Sequence, residues 1–125
     1  MNKAELIART KGFSLRILKL VDQLPRTTSG RAIGSQLVRS GTSVGANYRA
    51  ACRSRSRAEF AAKLGIVAEE ADETIYWLEL ILDGNVLPEL KIGDLLREAD
   101  ELTAIFTAGR RTSSRNQTSN TKLQT

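Results

Sequence analysis

Apolar residues recur every three or four positions along four successive segments, and this period constrains the fold more than any other feature. In the first segment, Phe13, Ile17 and Val21 are spaced four residues apart and therefore lie on one face of a helix. The three later segments repeat the pattern. It predicts four helices over about these residues: 3–24, 30–53, 57–83 and 88–110.

The residues between these segments favour helix ends. Pro25 ends the first helix because it lacks a backbone N–H group. Ser56 and Glu59 have the spacing of a capping box, in which the two side chains satisfy free N–H groups at a helix start. Gly84 suits the end of the third helix, and Pro88 suits the start of the fourth. Loops of roughly three to six residues place consecutive helices antiparallel.

These elements predict an all-α fold, an antiparallel up-down-up-down four-helix bundle over residues 1–111. The residues that follow are polar and low in complexity, so we expect a disordered tail over residues 112–125. The apolar runs are too short for a transmembrane span or a secretory signal. We therefore expect a cytoplasmic protein without membrane contact.

The chain contains no histidine and a single cysteine, Cys52. The commonest general base and transition-metal ligand is therefore missing, and a Ser-His-Asp triad or a Cys-His dyad is excluded. A lone cysteine fits a reducing compartment and a small buried side chain better than a reactive thiol. Oxygen ligands for a hard cation are present but lie on more than one helix face: Glu69, Glu70, Asp72 and Glu73. We therefore expect no catalysis, no cofactor and no metal.

Charge is strongly segregated along the sequence. Residues 1–58 contain 12 Lys and Arg against 2 Asp and Glu, a net charge of +10. Residues 59–109 contain 3 against 12, a net charge of −9, and the residues from Arg110 onward add +4. This asymmetry predicts either an acidic helix beside basic ones or a basic surface that binds a polyanion.

The arginines of the second helix lie away from its apolar face, and two more follow at the next corner. Because phosphate contacts need only positive charge within reach, these residues are candidates for binding RNA or DNA: Arg31, Arg39, Arg49, Arg53, Arg55 and Arg57. In one alternative they form a solvated face balanced by acidic helix three. In another, the protein is a structural or adaptor protein without a nucleic-acid role, and its acidic residues recruit a protein partner: Glu69, Asp72, Glu73, Glu79 and Asp83.

The third helix has more apolar surface than one bundle core requires. At 100° per residue, four apolar side chains fall opposite its core stripe: Ile66, Tyr76, Trp77 and Leu80. A contiguous exposed patch of this kind usually marks an interface, so the pattern predicts self-association. In the alternative, Trp77 only covers the end of the core.

The second helix also carries two further stripes. The glycine stripe consists of Gly30, Gly34, Gly41 and Gly45, and the polar stripe consists of Gln36, Ser40, Ser43 and Asn47. Glycine lowers helix propensity by up to about 1 kcal/mol relative to alanine, so its repetition indicates close approach of another backbone. That backbone belongs either to the same bundle or to a neighbouring subunit. Asn47 borders the core face, so we expect it to be partly buried with a specific partner. We include Asn47 in the candidate oligomer interface.

Three segments of the chain resemble a known family. The runs are QLVRSGTSVGANYR at residues 36–49, RAEF at residues 57–60 and EADETIYWLEL at residues 70–80. They are similar to the bacterial four-helix bundle proteins of 23S ribosomal RNA intervening sequences, over about residues 5–110. The resemblance implies an up-down bundle that forms a homopentameric ring.

The resemblance implies less about function. Some relatives are encoded within ribosomal RNA intervening sequences. A similar protein is an accessory factor of diversity-generating retroelements, where it engages reverse transcriptase and nucleic acid through a basic surface. The resemblance therefore implies nucleic acid and a protein such as a reverse transcriptase as partners. Many relatives continue the asparagine with Ile-Ala-Glu-Gly, whereas this chain has Tyr48-Arg49-Ala50-Ala51, so roles specific to those relatives are not carried over.

Overall fold

Four helices joined by short loops make up the computed structural model, which describes the backbone of residues 1–124 and the side chains of residues 1–115. The helices are α1 (Lys3–Val21), α2 (Thr28–Ala51), α3 (Arg57–Asp83) and α4 (Glu89–Gln124). α2 packs between α1 and α3, α3 packs on α4, and α1 meets α4 more sparsely. The described residues contain no strand, which confirms the all-helical four-helix fold. Within the described residues, no helix has an apolar stretch long enough to cross a bilayer.

Side-chain caps begin the first three helices. Asn2 and Thr27 cap α1 and α2, each by accepting a hydrogen bond from the backbone N–H three residues later. At α3, the Ser56 hydroxyl accepts from the Glu59 backbone N–H at 3.1 Å. The Glu59 carboxylate accepts from the backbone N–H of Arg55 at 3.2 Å, one residue earlier than in an ordinary capping box. α3 begins and ends where the sequence predicts.

The boundaries of α1 and α2 differ slightly from those predicted. α1 ends at Val21 rather than near Leu24, because the next turn tightens: Gln23 donates to the Leu20 carbonyl and Leu24 donates to that of Val21. α2 is shifted two residues toward the N-terminus, because Thr27 caps it there. Pro25 therefore lies in the loop, after the helix has already ended.

α4 continues past its predicted end. The sequence predicts a helix to residue 110 and disorder over residues 112–125, whereas α4 includes residues 111–115 and extends to Gln124. A helix already formed adds each further residue with one more hydrogen bond, and no Pro or Gly follows Gly109 to end it. The side chains of residues 116–125, in the rest of the predicted tail, lie outside the description.

One continuous apolar cluster from all four helices forms the core. Leu82, four residues after Leu78, continues the apolar stripe of helix three, and this spacing predicts it in the core. The structure instead buries Ile81 completely and leaves Leu82 half-buried. Ser40 and Thr74 are also fully buried, with their hydroxyl oxygens hydrogen-bonded at 2.9 Å across α2 and α3. Part of the polar stripe of α2 is therefore inside the bundle. The largest completely buried side chains are Phe13, Phe106, Ile17, Leu37, Leu78, Ile81, Ile92 and Leu102.

The glycines of α2 allow α1 to approach closely within the same bundle. A methyl group at Gly41 would lie 2.8 Å from Ile17 Cγ1, and one at Gly45 would lie 3.4 Å from the Thr10 carbonyl. The higher-numbered glycine meets the lower-numbered α1 residue, so the two helices run antiparallel. The backbone that approaches these glycines therefore belongs to the same bundle and not to a neighbouring subunit.

A bidentate ion pair joins α1 to α4. Arg9 donates to Glu98 from Nε to Oε2 at 2.8 Å and from Nη2 to Oε1 at 2.6 Å. Arg9 Nη2 also lies 3.1 Å from a carboxylate oxygen of Glu101. The Arg9 and Glu98 side chains are only 20% and 16% exposed. The hydrogen bonds from Arg9 hold the pKa of Glu98 below its usual range, and the bonds to Glu98 raise the pKa of Arg9.

Candidate nucleic-acid interface

The six arginines selected from the sequence do not form a single surface. Arg39, in the middle of α2, forms ion pairs with Glu70 at 3.2 Å and with Glu73 of α3. It therefore fits the alternative in which acidic α3 balances basic α2. Arg31 lies 18 residues before Arg49, about 27 Å along α2 at 1.5 Å per residue, so it is at the opposite end of the bundle.

Arg49 and Arg53 line a groove between α1 and α2. Lys3 and Lys11 of α1 line the same groove, which has a volume of about 560 Å³ and no carboxylate among its lining residues. Gly45, which lets α1 approach α2, is also part of the lining. Sequence reasoning missed the two lysines, because helical spacing relates residues within one helix and not residues on two.

Further cations surround this end of the bundle. Arg55 lies there in the α2–α3 loop and Arg57 lies there as the first residue of α3, and α4 brings Arg110 there, with its side chain packed over Gly65. Arg111 and Arg115 of α4 continue the positive surface. We call this surface the cationic end and define it by nine residues: Lys3, Lys11, Arg49, Arg53, Arg55, Arg57, Arg110, Arg111 and Arg115.

Few carboxylates lie near the cationic end. Glu5 accepts a hydrogen bond from the Asn2 amide at 3.1 Å, and Glu59 pairs with Lys63 at 3.0 Å. The contact with Lys63 lowers the pKa of Glu59. No ion pair among the described side chains includes any of the nine cations. Their charge is therefore available to an external anion.

Aromatic side chains behind the groove are buried. The rings of Tyr48 and Phe106 pack with centroids 5.2 Å apart. Burial, followed by contact with the Cys52 thiol, raises the pKa of Tyr48 to about 12. Cys52 itself is half-buried in the groove wall, so the expectation of a buried cysteine holds only in part. Binding at this end would therefore depend on charge rather than on stacking of bases.

Four of the predicted interface residues lie on α3, and three of these four are exposed to solvent. Ile66, Tyr76 and Leu80 are 44%, 55% and 36% exposed. Trp77 is half-buried against the core, and its Nε1 donates to the Glu73 carboxylate at 3.1 Å. Trp77 thus covers the core, as one alternative has it, whereas the other three residues form an exposed apolar patch.

Asn47 of α2 is half-buried, as the sequence predicts. Its partner lies in its own helix, because Nδ2 donates to the Ser43 carbonyl at 2.8 Å. This donor therefore needs no second subunit to satisfy it. The place of Asn47 at an oligomer interface stays a prediction.

The fold and its charges define a class of protein, the all-α four-helix bundle, here with one cationic end. The chain belongs to the 23S rRNA-intervening sequence protein family, whose model matches residues 2–108. This match confirms the resemblance found in the sequence. Because the matched residues stop before Arg110, the arginines at the end of α4 lie outside the family match.

A solved structure shares the fold. It is the crystal structure, at 1.70 Å resolution, of a protein with unknown function from the S23 ribosomal protein family of Bacteroides thetaiotaomicron VPI-5482. The two chains are 31% identical with a TM-score of 0.81, and the match covers 89% of this chain and 99% of that chain. No curated protein matches this chain. Fold and family are thereby shown, and neither assigns a function.

Proposed function

We propose that this protein is a non-enzymatic, homo-oligomeric bundle that binds RNA or DNA through its cationic end. One observation supports the proposal above all: nine cations from all four helices and the α2–α3 loop converge there without a paired carboxylate among the described side chains. Each cation that contacts a phosphate releases condensed counterions, so such a surface binds polyanions with strong salt dependence. Because charge dominates, we expect little sequence preference.

Self-association would strengthen this binding. The exposed apolar patch on α3 supports it, and so does the resemblance to relatives that form homopentameric rings. A ring repeats the cationic end once per subunit, so one polyanion can engage several copies at a high effective concentration. We therefore propose that the oligomer, rather than the isolated bundle, is the binding species.

Two matched double variants test the binding proposal. Arg49→Gln/Arg53→Gln removes two charges from the cationic end, whereas Arg26→Gln/Arg31→Gln removes two from the opposite end. Fluorescence titration with generic RNA and DNA over a salt series gives the slope of log K against log salt. We expect the first variant to reduce the magnitude of this slope by about 2 for each engaged subunit and the second to leave it unchanged.

Two results would overturn the proposal. One is a parent protein that shows no salt-dependent binding at low salt and micromolar concentration. The other is an equal loss of affinity in both variants, since that would mean that only total charge matters. Circular dichroism of both variants confirms that neither substitution has unfolded the bundle.

An adaptor role is the second candidate, supported by the acidic surroundings of the α3 patch. Glu73 is engaged by Arg39, but other carboxylates of α3 are exposed: Glu69, Asp72, Glu79 and Asp83. In this role the surface would recruit a protein such as a reverse transcriptase. A pull-down repeated after nuclease treatment separates the candidates, because an adaptor keeps its partner and a nucleic-acid-bridged complex loses it.

A further inference from the structure

Two apolar faces of the bundle lie in solvent on different helices. The α3 face consists of Ile66, Tyr76 and Leu80. The α1 face consists of Leu15 and Leu18, which are 53% and 41% exposed. α1 and α3 occupy diagonal positions, since each packs on α2 and α4 and they do not pack on each other. The two faces therefore point in different directions and cannot cover each other within one copy.

Carboxylates border the α3 face. Glu69 is three residues after Ile66, and Asp83 is three residues after Leu80. Asp72 is four residues before Tyr76, so all three carboxylates share the side of the helix that carries the apolar patch. They are exposed, and no ion pair among the described side chains includes them. The α3 face is therefore an apolar patch within negative charge.

Lysines border the α1 face. Lys11, which is also part of the cationic end, and Lys19 lie four residues before and after Leu15, both are exposed, and neither has an ion-pair partner among the described side chains. Asp22, four residues after Leu18, is the carboxylate on this side of α1. The α1 face is thus an apolar patch with a net positive border, of opposite sign to the α3 face.

We propose that the α3 face of one copy docks on the α1 face of a second copy. Pairing two α3 faces would oppose carboxylates with carboxylates, and pairing two α1 faces would oppose lysines with lysines. The unlike pairing instead places opposite charges around the apolar contact. Because it uses a different face of each partner, it continues from copy to copy, and it forms a ring where the rotation between copies closes. The inference rests on the proposed self-association and names the surfaces that carry it.

Complementation of two defective variants tests this pairing. Tyr76→Glu/Leu80→Glu disrupts the α3 face and leaves the α1 face intact, and Leu15→Glu/Leu18→Glu does the converse. Light scattering over a concentration series gives the mass of each protein and of an equimolar mixture. We expect a multimeric parent and two monomeric variants. The mixture is expected to form a heterodimer, because one intact contact remains between the two variants.

Controls separate this inference from the proposed self-association. Leu90→Glu changes a leucine that is 94% exposed and lies outside both faces, so it is expected to keep the parent mass. A multimeric parent overturns the pairing if Leu15→Glu/Leu18→Glu keeps its mass or if the mixture stays monomeric. A monomeric parent overturns self-association as well. If circular dichroism shows that a glutamate variant has lost helix, a variant with glutamine at the same positions is tested in its place.

Discussion

Arginines paired with carboxylates across helices and arginines of the cationic end are the same residue type in opposite surroundings. Arg9 and Arg39 each contact two carboxylates of a neighbouring helix. The cations of the cationic end contact none among the described side chains. The first group therefore joins helices, whereas the second leaves its charge to an external anion. The difference shows that pairing, and not charge alone, decides which arginines can form a binding surface.

The positions of the carboxylates explain this difference. An up-down bundle places the basic first half of the chain beside the acidic second half, so much of the charge cancels. The cancellation fails at one end, because the carboxylates of α3 and α4 concentrate at residues 69–83 and 89–101. Residues 60–68 of α3 and residues 102–115 of α4 contain none. Those stretches lie at the cationic end.

The largest expected effect comes from removing the arginines of α4. For each engaged subunit, Arg110→Gln/Arg111→Gln/Arg115→Gln is expected to weaken nucleic-acid binding on the order of a hundredfold at about 50 mM salt, and to reduce the magnitude of the salt slope by about 3. The unfolding free energy is expected to change by less than about 0.5 kcal/mol, because these charges are unpaired. Titration and urea denaturation measure the two quantities. An unchanged slope would restrict the binding surface to the groove between α1 and α2.

Arg9, a paired arginine, should show the opposite behaviour: changing its partner Glu98 should lower stability and leave nucleic-acid affinity nearly unchanged. Glu98→Gln is expected to cost about 1–2 kcal/mol of stability at neutral pH, because it breaks a bidentate, mostly buried ion pair. Nucleic-acid affinity should stay within about twofold of the parent, since Arg9 keeps its contact with the Glu101 carboxylate. Urea denaturation and the same titration provide the measurements.

The pH dependence of this effect has a definite sign. The pKa of Glu98 is lowered in the folded state, so its contribution is complete above its ordinary pKa of about 4.5. It is lost as the pH falls through the lowered pKa. The stability difference between parent and Glu98→Gln should therefore shrink in acid. Glu101→Gln, at a carboxylate that is 64% exposed, serves as the control with a smaller effect. If the stability difference between the parent and Glu98→Gln is the same at acid pH as at neutral pH, the lowered pKa of Glu98 is contradicted.

The fold was predictable from the sequence because its signals are local. Apolar spacing within each segment gives the helices, and the capping serine at position 56 gives the start of α3. The end of α4 was not predictable in this way. Polar residues without Pro or Gly suit both a disordered tail and the continuation of a helix.

The candidate site was predictable only in part, because it depends on the register between helices. Arg39 and Arg49 look equivalent in the sequence, and only the position of α3 shows that carboxylates neutralise the first. Lys3 and Lys11 contribute because the glycines of α2 bring α1 close, which helical spacing does not reveal. Single-helix patterns thus find the charged residues, and packing between helices selects among them.

The smallest expected effect belongs to Arg39→Gln. The Arg39 side chain is 47% exposed, so its ion pairs with α3 are screened by solvent, and their loss should cost less than about 1 kcal/mol. Because those carboxylates already neutralise Arg39, nucleic-acid affinity should also stay within about twofold of the parent. Arg49→Gln is the matched single variant, with the same substitution in the same helix at an unpaired position. If Arg39→Gln weakens binding as much as Arg49→Gln does, phosphates displace the α3 carboxylates from Arg39. The binding surface would then extend along α2 into the middle of the bundle, and pairing would no longer separate the two groups of arginines.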